Sequence, residues 1–190
     1  NGPLATLVSY LEDRGQFAQG EQLLGSELKH PGNQQQTYWL KQRLYRLYDT
    51  AIRRNGDVSL GSGAALYRAV ERELQDELDT VDHSHRQALA NRLCTIYRTA
   101  HDKKIAGVAD DVRAFAFDRL PEVLARHTTN YQSLVSTVAQ TLRDLASPRD
   151  GLELLIERIE NEPKWLRLKN DGGWSKHSHQ LARWRNEVGD

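Results

Sequence analysis

The chain has 190 residues, 38% of them hydrophobic, and its 26 Lys and Arg balance 26 Asp and Glu. That length suits one core or two small ones. The cancelled charge excludes the long-range field of a dedicated nucleic-acid or anionic-membrane binder and leaves room only for a local patch. A single cysteine, Cys94, excludes an internal disulfide framework and a cysteine-based zinc cage, and does not fix the compartment. No apolar run approaches the ~18 residues of a membrane span, and the first residues lack the basic region of a signal peptide. The absence of methionine means that Asn1 is no translational start, so the expectation is a soluble segment of a longer protein.

Apolar residues recur at a 3.6-residue period along most of the chain. The first stripe is Leu4, Leu7, Val8 and Leu11. After Gly15 come Phe17, Leu24 and Leu28, and His30-Pro31-Gly32 ends that helix. Asn33 and Gln36 have capping-box spacing ahead of a long helix carrying Leu40, Leu44, Leu47, Tyr48 and Ala51, which stops near Asn55-Gly56. Asp57–Leu60 reads as a short extended piece, and Ser62 as the cap of the next helix. Leu66, Val70, Leu74, Leu78 and Val81 form its stripe, followed by Leu89, Leu93, Ile96, Tyr97 and Ala100.

Val108, Val112 and Phe115 continue the pattern up to Pro121, which should kink or restart the helix. Thr129 and Gln132 again match a capping box, before Leu134, Val135, Val138 and Leu142. Ser147-Pro148 places a cap before a first-turn proline, and Leu152, Leu155, Ile156 and Ile159 follow. Asn170–Gly173 is a loop. A last helix, starting near Ser175, carries Leu181, Trp184 and Val188.

These spacings predict an all-α fold of about nine amphipathic helices with short loops, either an α-solenoid or a multi-helix bundle. Residues 1–190 are expected to form one helical domain. Within it, 1–56 would be a hairpin plus a long helix, and 62–190 the remaining array with a C-terminal capping helix.

Leu4, Leu7, Tyr10 and Leu11, then Gly15, Phe17, Gly20, Leu24 and Pro31, fall at positions of large apolar, aromatic, small and terminating residues. On them the first thirty-one residues resemble one tetratricopeptide (TPR) hairpin. Glu27 stands where that family has a small residue, Pro31 comes one position early, and no second copy follows at the ~34-residue repeat spacing. The resemblance implies a right-handed helical array and a scaffold or partner-binding role.

Two triplets, His83-Ser84-His85 and His177-Ser178-His179, are the metal candidates, since four imidazoles brought together suit zinc or a similar ion. Residues two apart point to different sides of a helix, so neither triplet chelates well unless it is extended. His85 precedes Leu89 by four and His177 precedes Leu181 by four. Each is better explained as an amphipathic ring closing the core at a helix start, and no cofactor is expected.

Glu27 and His30 have Glu-x-x-His spacing without the second motif that a di-iron bundle needs. Gly61-Ser62-Gly63 lacks the Lys-Ser or Lys-Thr pair of a phosphate loop. Glu71, Glu73, Asp76, Glu77, Asp79 and Asp82 read as a solvated helix face, with capacity to receive a basic partner. Toward the C-terminus Lys164, Arg167, Lys169, Lys176, Arg183 and Arg185 interleave with Trp165, Trp174 and Trp184, a composition that binds nucleic acid by phosphate contact and base stacking. Trp184 lies on the Leu181/Val188 stripe and is expected in the core.

No catalytic constellation emerges. The leading expectation is a non-enzymatic helical scaffold with protein or peptide partners. A nucleic-acid-binding domain using the C-terminal segment and a metal-dependent helical enzyme using the histidine triplets stand as alternatives.

Overall fold

A computed structural model describes residues 2–81, 83–125, 131–161 and 175–189. Its described residues form an all-α fold, and the extended piece expected at Asp57–Leu60 is a single antiparallel bridge. There Val58 and Gly61 exchange N–H···O bonds of 3.1 and 2.9 Å. The helices are α1 (Pro3–Asp13), α2 (Phe17–Lys29), α3 (Gln34–Arg54), α4 (Gly63–Thr80), α5 (His83–Asp102), α6 (Val108–Ala114), α7 (Leu120–Ala125), α8 (Tyr131–Leu145), α9 (Pro148–Asn161) and α10 (Ser175–Val188). Among the described residues no helix is long and apolar enough to cross a membrane.

The chain divides into two compact units, one made of Asn1–Glu77 with Thr99–Ile105, the other of Leu78–Arg98 with Ala106–Asp190. The boundary therefore runs within α4 and α5.

In the first unit, Val8, Phe17, Leu24, Leu40, Leu47, Ile52, Leu66, Val70 and Leu74 are buried. Leu7 is the departure in α1: it is 47% exposed, and Glu12 takes a place on the buried arc. Glu12 tolerates burial because the Arg43 guanidinium on α3 donates to its carboxylate at 3.0 Å, and a buried charge persists only when paired. α2 lies close on α3 because Gly20 has no side chain: a Cβ there would meet Leu47 Cδ1 at 2.6 Å.

Asn33 caps α3 by accepting from the Gln36 N–H at 2.8 Å, while Gln36 reaches back to the Gly32 N–H at 2.9 Å, one residue earlier than a standard box. Asn55, with φ of 54°, ends α3 in the left-handed conformation that Asn tolerates better than most side chains.

The second unit buries Leu89, Leu93, Tyr97, Phe115, Leu120, Val135, Val138, Leu142 and Leu155, with Cys94 among them. α8 and α9 are joined only by Ala146 and Ser147 and pack as a hairpin, with Ser147 Oγ accepting from the Asp150 N–H at 3.1 Å as the α9 cap. Pro121 does not break its helix. The turn before it, Phe115–Arg119, is wound as a π-helix, the Leu120 N–H donating to Phe115 O, and the flanking backbone stays right-handed helical. Wider winding accommodates a residue that lacks a donor and whose ring crowds the carbonyl four residues back.

Candidate functional site

In the first unit an open cleft of 670 Å³ lies between α2 and the loop after α3. One face of α2 lines it through Ala18, Glu21, Gln22, Gly25, Ser26 and Lys29, positions that share a side of a 3.6-residue helix, and Asp57, Val58 and Ser59 face them. The floor is shallow in side chains, and a Cβ at Gly25 would meet nothing within 4 Å.

Glu21 fixes the wall. Its carboxylate accepts from Tyr48 Oη at 2.9 Å and from the Ser59 N–H and Ser59 Oγ, both at 2.6 Å. These charge-assisted hydrogen bonds tie α2, α3 and the loop together along one wall of the cleft. Behind it, Glu77 on α4 accepts from Tyr45 Oη at 2.5 Å and from Lys41 Nζ at 2.9 Å. Burial first, then donation to Glu77 and Glu21 respectively, pushes the Tyr45 and Tyr48 hydroxyls well above the usual phenol range. Both remain protonated donors at neutral pH. Glu73 reaches the surface, yet partial desolvation, followed by the charges of Glu77 and Glu21, pushes its carboxyl above the usual range.

The acidic run of α4 is thus only partly a solvated face. Glu77 is tied to Lys41 and Tyr45, Glu71 pairs with Arg68 at 3.6 Å, and Asp79 pairs with Arg119 within the second unit. Of the charged residues that line the cleft, Glu21 and the exposed Asp57 are acidic and lie at its loop end, and Lys29, at the end of α2, is basic.

The other sequence candidates are placed as follows. His83 and His177 lie in the first turns of α5 and α10, and their side chains fall outside the described residues, as does that of Lys176. His85 is half-buried and His179 exposed. Among the described residues no group of three or more His, Cys, Asp or Glu side chains is arranged to hold a metal ion. Lys164, Trp165, Arg167, Lys169 and Trp174 lie outside the described residues, as do Thr129 and the Asn170–Gly173 loop.

Arg183 and Arg185 are exposed, and Arg183 Nε donates to Glu187 at 3.2 Å. Trp184 is 2% exposed, beneath the Arg143 guanidinium at 5.5 Å from its ring centroid, so its indole is core and not a free stacking surface. Arg143 also donates to Glu187 at 2.8 and 2.5 Å, which holds the Glu187 carboxyl below the usual range.

Glu21, Tyr48 and Ser59 carried no sequence signal as a group, being separated by 27 and 38 residues. The nearest hint was the polar Glu21 beside small residues on α2. The described residues form an all-α protein with an open surface cleft along α2. In comparisons with known proteins, no family model, no curated protein and no solved structure matches the chain.

Proposed function

We propose that the chain is a non-enzymatic helical interaction module whose first unit holds a basic peptide segment of a partner protein in the cleft along α2. The observation that carries this is the pairing of shape and charge in one place. The cleft of 670 Å³ has room for several side chains, its floor is built of Ala18, Gly25 and Ser26, and Asp57 at its rim engages no described residue. The tyrosine and glutamate side chains behind it are spent on mutual hydrogen bonds that pre-shape the wall, which lowers the ordering cost of binding. The TPR-like spacing of the first thirty-one residues supports the same role by analogy.

Peptides selected from a random library on the whole chain test it, with a plugged variant, Gly25→Trp, as the counter-screen. The open space at Gly25 lets the indole enter the cleft without displacing the core. Selected sequences should be basic, and should bind Gly25→Trp at least about tenfold more weakly. Peptides of no charge preference that bind both forms equally would contradict the proposal.

A further inference from the structure

Elsewhere in the first unit a smaller groove of 220 Å³ lies between α1 and α3, lined by Ala5, Thr6, Ser9, Trp39, Arg43 and Arg46. Its polar lining consists of donors, with no carboxylate. Arg43 is 9% exposed; its Nη2 donates to Ser9 Oγ at 2.8 Å and to Glu12 at 3.0 Å, and its buried Nε–H has no acceptor among the described residues.

Because Ser9 Oγ accepts from Arg43, its own proton is left to donate elsewhere. Thr6 and Trp39 form no side-chain hydrogen bond with a described residue, and Trp39 is 42% exposed. Glu12, which does not line the groove, compensates Arg43. Arg46 has no carboxylate partner among the described residues and is exposed, so the groove keeps one uncompensated positive charge.

A concave site with two hydroxyls on α1, and a free guanidinium and an orphan N–H on α3, suits an oxyanion with oxygens in three directions better than a planar carboxylate. The exposed indole beside it offers an apolar platform with a polar edge. The geometry points to a groove that takes the phosphoryl group of a phosphate monoester, whose organic body rests on Trp39. Arg46 supplies the ionic contact, Ser9 and Thr6 donate hydroxyl hydrogen bonds, and Arg43 holds Ser9 in place. The site shares no lining residue with the α2 cleft and does not depend on the peptide proposal.

The test follows the Trp39 indole N–H by NMR in the full chain, its resonance assigned by Trp39→Phe. It is titrated at neutral pH and constant ionic strength with inorganic phosphate, phenyl phosphate, benzoate and phenol. Phenyl phosphate should shift it saturably and bind several-fold tighter than inorganic phosphate. Arg46→Gln should weaken this about tenfold with an unchanged melting temperature, and Thr6→Val should weaken it less. A shift equally strong with phenol, equal affinity for benzoate, no saturable shift, or an Arg46→Gln variant that binds like the wild type would each overturn the assignment.

Discussion

Partial desolvation, joined by repulsion from Glu77 and Glu21, raises the folded-state Glu73 carboxyl above the ordinary range. For an acid whose folded pKa is raised, the contribution to stability is fully present below the unfolded value and is lost as pH rises through the folded value. At neutral pH the Glu73 carboxyl therefore opposes folding. Glu73→Gln should raise the melting temperature near neutral pH and leave it unchanged at about pH 4, where the carboxyl is mostly protonated in both states. Equal melting temperatures at both pH values would show that the acidic seam carries no strain.

Trp184 makes the opposite case, a residue whose role the sequence did reveal through its spacing from Leu181 and Val188. Truncating a fully buried Trp to Ala costs about 3–5 kcal/mol, whereas Arg183, 74% exposed in its pair with Glu187, should cost under about 1 kcal/mol when replaced by Ala. Urea denaturation of Trp184→Ala and Arg183→Ala measures both, and equal losses would contradict the placement of the indole in the core. Leu7 shows where residue patterning fails. Its place on the stripe was overruled because Arg43, 31 residues beyond Glu12, stabilises a carboxylate on the buried arc.

At the level of elements, the caps were legible because they are local chemistry: Asn33 and Ser147 accept the N–H groups that their spacing indicated. Pro121 was legible as a disturbance but not in its outcome, since a π turn absorbs it without ending the helix. Helix-to-helix approach was not legible, and Gly151 is the clearest instance. A Cβ there would meet Ala139 O at 2.6 Å and Arg143 Cβ at 2.9 Å, so α8 and α9 would have to separate.

Gly151→Ala should therefore cost about 1–3 kcal/mol through overpacking, despite the gain in helix propensity. Gly25→Ala, at an open position of α2, should stabilise by about 0.5–1 kcal/mol. Thermal melts of the two variants that moved in the same direction would contradict this account of the α8–α9 hairpin.

For the molecule as a whole, periodicity was enough to establish the all-α class, because 3.6-residue stripes and caps repeat from Pro3 to Val188. The division into two units was not legible, since it cuts through α4 and α5, whose stripes run on without a break. The cleft was least legible of all: its wall joins Glu21, Tyr48 and Ser59 from three segments that only tertiary packing brings together. The acidic run on α4 reads from sequence as a solvated face, and the structure ties part of it down, Glu77 to Lys41 and Tyr45 and Asp79 to Arg119.

The central claim, that the α2 cleft is where a partner peptide docks, is tested most directly by amide NMR of the whole chain on adding a library-selected basic peptide. The largest shifts are expected at the amides of Gly25, Ser26 and Ser59, with the second unit unchanged. Shifts confined to the second unit, or a bound peptide that leaves those three amides in place, would contradict it.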